Sequence, residues 1–539
     1  MTLMLQVMAA VTLVALACRA YRSLHMLQLD GYRAERYVRH SWQNMAWRDY
    51  GTWIAGYAGA FLIAISGYRT EAGWPAYVLV GAWVAQVVVL TWSTWTGPVK
   101  VPFAMTARMT RLLTATALLT FALGALAVLL ASSGLSRAGS MSLAVTSYLL
   151  AGALVLLEPA LVVAAVLLLG PLEARNRRRF VNAARRRLES VRPLVIGVAG
   201  SYGKTTTKSA LVATLSSKFK VLASPESYNT LLGVTRTINE CLTDDVDVFV
   251  VEMGARQAGD IAEICDLVHP TVGVVTRLGP QHLEYFGSAA AIIRAKTELL
   301  RALPPEGFAV VDADGLTDFR TSDGWAVPVT RVSTQPAVEA DVLLSVTSIS
   351  SAGSVFKAEW RDGTVLESRT PLMGRHAAFD CGLAAVVALK MGVEPRGIAD
   401  GLQSMQSVPH RLEVVRDDSV VVIDDAYNSN PAGFEAALEV LGSLEGRRIL
   451  VTPGMIELGS ATVGAHERIA ALAAAVCDVV ILVGRTYPKE FLSVLLDSGL
   501  PPGGLRLVSS LAEATEMLGQ LVRAGDVVLF ENDLPDNFR

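Results

Sequence analysis

The chain has 539 residues, enough for about three or four units each with its own core, and 52% of them are hydrophobic, too many for an ordinary soluble enzyme. A formal net charge of −3 provides no basic excess for a nucleic-acid partner. Five widely spaced cysteines (Cys18, Cys241, Cys265, Cys381, Cys477) form no C-x-x-C pair, so neither a disulfide framework nor a cysteine zinc site is expected, which suits a reducing compartment.

The apolar excess lies in front. Seven of the nine tryptophans precede residue 100, and five stretches, 3–18, 51–67, 74–94, 112–132 and 142–170, approach the about 20 apolar residues that cross a bilayer. Alternate connecting segments carry six arginines (Arg19, Arg22, Arg33, Arg36, Arg39, Arg48), then Lys100, Arg108 and Arg111, then eight arginines between Arg175 and Arg192; the opposite segments carry only Arg69 and Arg137. That bias predicts a multi-pass cell-membrane protein with an outside N-terminus and a cytoplasmic remainder. The first stretch, "MTLMLQVMAAVTLVALAC", has no basic region before its apolar core and reads as a signal anchor rather than a cleaved signal peptide. Glu158, beside Pro159 in apolar sequence, is either a functional carboxylate or a group that a kinked helix exposes to a polar cavity.

The sequence therefore divides into a membrane domain of about five helices over 1–172, a basic juxtamembrane linker over 173–193, and two α/β domains over 194–407 and 408–539. The linker, "EARNRRRFVNAARRRLESVRP", suits a solvated helix obeying the positive-inside rule, or a surface for anionic headgroups or a pyrophosphate. Beyond it, short apolar runs ("LVIGVAG", "VDVFVVEMGA", "TVGVVTRLG", "GFAVVDADG", then "SVVVIDDA", "RILVTPG", "VVILVG", "GDVVLF") alternate with helical patterns, the signature of largely parallel sheets. A hinge is expected near residue 408, within "SMQSVPHRLEVV".

The run "VIGVAGSYGKTTTK" over 195–208 has the form of a phosphate-binding turn: apolar strand, glycines, lysine, helix. Gly200, Ser201, Tyr202, Gly203, Lys204, Thr205 and Thr206 would wrap a nucleotide, Lys204 reaching phosphate oxygens and the Thr205 hydroxyl a magnesium ion. Val198 stands where the general P-loop pattern has its first glycine. Glu252, ending the strand "DVFVVE", is suited to the same metal. Taken singly, His282 reads as an ordinary polar loop residue and Lys296 as a solvated helix lysine.

Taken in order, "GSYGKTTTK", "VVEMGA", "LGPQHLEYFGS", "RAKTELL", "HRLEVV", "VVIDDAYNSNP" and "MIELG" resemble the Mur ligases, ATP-dependent amide-forming enzymes of peptidoglycan precursor synthesis, and above all the branch adding D-alanyl-D-alanine; the resemblance covers about 194–530. It implies ATP and two Mg²⁺ as cofactors, with Lys204 and Thr205 on the triphosphate and first Mg²⁺, Glu252 on metal, and His282 helping to hold the second Mg²⁺. It also implies carbamylation of Lys296, which would turn a cation repelled by magnesium into a hard oxygen ligand. Arg411 and Asp425 match residues that close over the nucleotide phosphates and ribose. Asn229, Tyr427, Asn428 and Asn430 would line the substrate edge, with a structural turn role open for the last three. The implied reaction moves the γ-phosphoryl group of ATP to an acceptor carboxylate, and an amine then displaces phosphate. The acceptor would be a cell-envelope precursor and the donor an amino acid or dipeptide.

The sequence also departs from that pattern. Ala377 and Asp380 stand where the family has asparagines serving adenine; Thr230 and Thr235 replace an asparagine and a proline; the glycine-serine ending is missing; and membrane helices stand where the uridine-nucleotide domain is expected. Lipid-linked and soluble UDP-linked acceptors are both compatible with this, and a membrane pump driven by P-loop ATP hydrolysis is the alternative from another class, although no L-S-G-G-Q-like signature follows the P-loop.

Overall fold

The computed structural model describes residues 2–29, 32, 34, 35, 37, 38, 81, 83, 85, 103–135, 140–225, 228–279, 286–316, 325–350, 352–406, 410, 412–417, 420–426, 429–455, 458, 461–484, 487, 489–501 and 503–532. The chain forms two compact units, Met1–Arg178 and Arg179–Arg539.

In the first unit the described helices are α1 (Thr2–Leu29), α2 (Ala107–Leu135) and α3 (Ser140–Val191), the last extending into the second unit. Leu24, Leu27, Met109, Leu112, Val162 and Ala165 make a small core among the three. Two described segments, Ala107–Leu126 and Leu150–Val191, are long and apolar enough to cross a membrane; the spans expected at 51–67 and 74–94 lie outside the described residues, apart from 81, 83 and 85. Glu158 is buried rather than opened to a polar cavity. Ser23 Oγ donates to its Oε2 at 2.9 Å and Arg19 Nε lies 3.9 Å from the same oxygen.

The basic stretch expected as a linker is helical, the end of the 52-residue α3. Its apolar residues recur at helical spacing: Ala184 is fully buried, with Val181, Leu188 and Val191 packed against the same core, so this stripe has a surface to cover. Two of its arginines are structural, Arg185 donating to Asp266 O (3.3 Å) and Arg187 to Leu242 O (2.9 Å) and Asp244 (2.7 Å).

The second unit holds two sheets. The first has nine strands in the order β2-β3-β1-β4-β5-β6-β7-β8-β9, namely β1 (Leu194–Ala199), β2 (Val221–Ala223), β3 (Val248–Glu252), β4 (Val272–Val275), β5 (Phe308–Asp312), β6 (Val329–Ser333), β7 (Val342–Ser350), β8 (Gly353–Trp360) and β9 (Val365–Thr370). It is parallel through β7; β8 and β9 are antiparallel additions. Strands β1, β3 and β4 are apolar runs because both faces are covered. Helices α4 (Lys204–Leu215), α9 (Arg375–Lys390) and α10 (Pro395–Gln403) bury Leu211, Leu215, Val387, Ile398 and Leu402 on one face. On the other, α5 (Leu231–Cys241), α6 (Asp260–Val268), α7 (Ala289–Lys296), α8 (Glu298–Arg301) and the end of α3 bury Ile238, Ile264, Leu299 and Ala184.

The second sheet runs β10-β11-β15-β12-β13-β14, with β10 (Glu413–Asp417) antiparallel to β11 (Val420–Asp425) and the rest parallel: β12 (Arg448–Thr452), β13 (Val479–Val483), β14 (Leu505–Val508) and β15 (Val527–Glu531). Phe434 of α11 (Pro431–Ser443), Ile469 of α12 (Thr462–Val476) and Phe491 of α13 (Lys489–Asp497) cover one face, and Leu518 of α14 (Leu511–Leu521) the other. All eight apolar runs named from the sequence are strands of these two sheets.

Candidate active site

The turn after β1 enters α4 through Gly200 (φ 151°) and Gly203 (φ 78°), backbone angles that a side chain would strain. No side chain caps α4, so the donors of its first turn are available to an anion. Lys204 Nζ lies over the turn and donates to the carbonyls of Gly200 and Ser201, each at 3.0 Å. The N–H groups of Ser201 and Tyr202, expected on phosphate, instead donate to Arg277 O. Thr206 lies in the first turn of α4.

In register, Val198 on β1 pairs with Glu252 on β3, which brings the carboxylate to the same sheet edge as the turn. Glu252 is buried and encircled: Thr205 Oγ1 donates to Oε2 (3.1 Å), Asn229 Nδ2 to Oε1 (3.1 Å), and Lys208 Nζ stands 3.3 Å from Oε2 while donating to Ser224 O (2.9 Å). Burial alone would raise its pKa; Lys208 and Lys204, with the Asn229 bond, reverse the sign and hold it below the usual carboxylate value. A hydroxyl and a carboxylate oxygen pair are hard donors fitted to magnesium.

Lys296, at the end of α7, is not the solvated lysine its sequence suggests. It is 2% exposed, with Nζ 3.3 Å from Ala255 O. Burial first, and the charge of Lys204 second, lower its pKa to about 7, against the opposing pull of Asp260, Glu252 and Glu298. About half the side chain is then a neutral, nucleophilic amine at neutral pH.

The remaining expected residues divide. Asp425 ends β11, paired in register with Glu531, and its Oδ1 accepts from Leu412 N at 3.2 Å. Asn430 is the N-cap of α11, its Oδ1 accepting from Gly433 N at 2.9 Å, which is a structural turn role. Thr230 similarly caps α5 through Gly233 N (3.3 Å), while the Thr235 hydroxyl bonds back to Leu231 O (2.6 Å). Ala377 and Asp380 are buried on α9; a Cβ built on Gly203 would stand 2.2 Å from Asp380 Oδ1, so this carboxylate abuts the turn itself. His282, Arg411, Tyr427 and Asn428 lie outside the described residues.

Sequence reasoning missed Lys208 and Arg277. The second lysine of "GKTTTK" falls one helical turn after Lys204, on the face toward β3, and that spacing was the available signal.

A glycine turn with its lysine, a neighbouring carboxylate and a buried lysine, on the first of two doubly wound domains, define a P-loop α/β enzyme. A profile of the Mur ligase middle domain matches residues 198–388, and one of the Mur ligase glutamate ligase domain matches 410–531. The UDP-N-acetylmuramoyl-tripeptide--D-alanyl-D-alanine ligase of Mycobacterium tuberculosis (strain ATCC 25618 / H37Rv) is 33% identical over 357 residues, covering 62% of this chain and 69% of that one. The protein of the same name from Escherichia coli (strain K12) is 32% identical over 295 residues, 54% of this chain and 64% of that one. The chain belongs to the Mur ligase family, a family of ATP-dependent amide ligases. Among solved structures, MurF from Acinetobacter baumannii is similar at 26% identity and a TM-score of 0.57, covering 66% of this chain and 77% of that chain. The MurF ligase from Thermotoga maritima in complex with ADP gives the same identity and TM-score, covering 66% and 80%.

Proposed function

We propose that this chain joins an amine to the carboxylate of a peptidoglycan-type precursor through an acyl phosphate, at the expense of ATP. The observation that carries the reading is the closure of Thr205, Asn229 and Lys208 around Glu252 beside the Lys204 turn. Lys204 and the first turn of α4 bind and orient the triphosphate. Thr205 and Glu252 would hold a magnesium ion, which when bound neutralises charge on the transferring group. Lys296, as an amine, attacks carbon dioxide, loses its proton to solvent and becomes a carbamate; with His282, that carbamate would hold a second magnesium ion. The acceptor carboxylate oxygen bonds to the γ-phosphorus as ADP leaves; the donor amine then bonds to the acyl carbon and phosphate departs with the former carboxylate oxygen. The protein chiefly positions reactants, a role in which the resemblance would have Arg411 and Asp425 close over the nucleotide and exclude water.

The acceptor we infer is lipid-linked. Long apolar helices precede the catalytic domains, and a membrane tether would raise encounter with a lipid substrate without any new contact. In this reading the chain is multi-pass with the ligase domains cytoplasmic and the arginines of 175–192 at the inner leaflet. The second reading is an anchored ligase using a soluble UDP-linked peptide, favoured by the names of the relatives. Full-length protein in nanodiscs, given ATP and candidate amines with either acceptor, separates them by acceptor mass. Amine-dependent extension of the lipid-linked peptide is expected; extension of the UDP-linked form alone defeats the lipid arm, and extension of neither defeats the ligase assignment.

A further inference from the structure

The phosphate-facing turn is held in shape from the next strand of the sheet. Arg277, just past β4, takes the N–H of both Ser201 and Tyr202 on its main-chain carbonyl, each at 3.0 Å. On one side of it the Thr276 hydroxyl donates to the carbonyls of Tyr202 and of Ala199 (3.3 Å). On the other, Ser201 Oγ donates to Gly279 O (3.0 Å) and accepts from Gly279 N (3.2 Å). A Cβ on Gly279 would meet the Tyr202 ring at 2.5 Å, so residues 276–279 lie directly against the P-loop.

Any residue offers a carbonyl; what singles out Arg277 is how its side chain is anchored. Nε bonds Asp312 and Nη2 bonds Asp314 at 3.0 Å, both carboxylates almost wholly buried at the end of β5. The guanidinium carbon lies 5.3 Å from the centre of the Phe379 ring, and the next residue, Asp380, abuts Gly203. Asp314 is itself held by Thr334, accepting from N (3.1 Å) and Oγ1 (2.6 Å), and by the Ser333 hydroxyl. The two carboxylates are buried while the arginine side chain stays 39% exposed; carboxylates taken out of water against one cation are a poor source of stability compared with apolar packing, and their best-supported use is to fix one geometry.

We propose that Arg277 is a positioning residue for nucleotide binding. Its side chain, seated on Asp312, Asp314 and Phe379, fixes the direction of its own carbonyl. That carbonyl directs the Ser201 and Tyr202 N–H groups inward and leaves the uncapped start of α4, with Lys204, facing the phosphates. The inference rests on the reading that this turn binds ATP.

The test measures Mg-ATP affinity of the full-length protein by displacement of a fluorescent ATP analogue, with melting temperature recorded without nucleotide. Arg277→Gln is expected to weaken binding about tenfold, and Arg277→Lys nearly as much, because an ammonium cannot fork to two carboxylates. Asp314→Asn should weaken binding in the same direction, and the double variant with Arg277→Gln should be no weaker than the worse single one, since both cut one link. In turnover, the KM for ATP should rise while the KM for the amine stays; a merely structural role would move both together with the melting temperature. A folded Arg277→Gln that binds ATP within twofold of wild type, or additive losses in the double variant, overturns the proposal. Where Arg277→Gln does not fold, unchanged binding by Asp314→Asn overturns it alone. Wild-type protein that binds no ATP, or Lys204→Ala that binds equally well, refutes the ATP reading and the clamp with it; normal wild-type binding with unmoved Arg277 variants refutes only the clamp.

Discussion

Replacing Lys296 by alanine removes the one side chain whose chemistry is expected to change after folding. With its pKa lowered to about 7, half of Lys296 is neutral at pH 7. An exposed lysine is neutral in only about one part in several thousand, so burial raises the reactive amine on the order of 10³-fold. The proposed carbamylation by dissolved carbon dioxide draws on that neutral amine, which an exposed lysine supplies far less of. The assay is twofold: a ¹³C NMR carbamate resonance after equilibration with ¹³C-bicarbonate, and turnover with and without short carboxylates. Lys296→Ala should lose the resonance and nearly all activity, and regain part of the activity when acetate or formate fills the gap. The pH dependence has a fixed sign. Below about pH 7 the amine protonates, carbamate is lost and activity falls. In carbon-dioxide-free buffer the folded lysine releases its proton near pH 7 and the unfolded one near 10.5, so the unfolded state binds more protons in that window and stability rises with pH across it. Full activity of Lys296→Ala without added carboxylate, and no resonance in the wild type, would refute this reasoning.

Lys204→Ala should lower turnover by roughly 10²-fold or more, the cost of removing a preorganised charge; steady-state phosphate release by folded protein checks it. Glu252→Gln keeps the bonds of Asn229 and Thr205 possible but removes the charge, so the Mg²⁺ requirement should shift to higher concentration, and a magnesium titration of turnover that superimposes on wild type contradicts the metal role. Ala184→Asp buries an unpaired carboxylate where α3 meets the core and should lower stability by about 3 kcal/mol or more; an unchanged melting temperature would mean that the basic helix is not packed on the catalytic domain.

The parts of this architecture that repeat were the parts legible in the sequence. Buried parallel strands announce themselves as apolar runs, and the glycine turn follows from one of them directly. The antiparallel β8 and β9 did not announce themselves: in β9, "VLESRT", residues alternate strictly between exposed and buried, so no apolar run stands out. Lys296 was identified through its motif, but its burial was not readable, because a lysine between alanine and threonine carries no mark of what α6 and β3 place over it. Arg277 was invisible for a related reason. Its partners, Asp312 and Asp314, are 35 and 37 residues away, joined to it only by the pairing of β4 with β5. The arginines of 173–192 looked uniform, yet Arg185 and Arg187 reach Asp266 and Leu242 of the catalytic domain, a contact that depends on which face of α3 is turned to it.

The central claim is that the chain transfers phosphate through an acyl phosphate, and the carboxylate oxygen records whether it does. An acceptor peptide labelled with ¹⁸O in the reacting carboxylate, incubated with ATP, Mg²⁺ and the donor amine, should yield inorganic phosphate carrying one ¹⁸O for each amide bond formed, as read by mass spectrometry. Phosphate released without label from the acceptor, its new oxygen drawn instead from solvent water, would identify an ATPase and contradict the account.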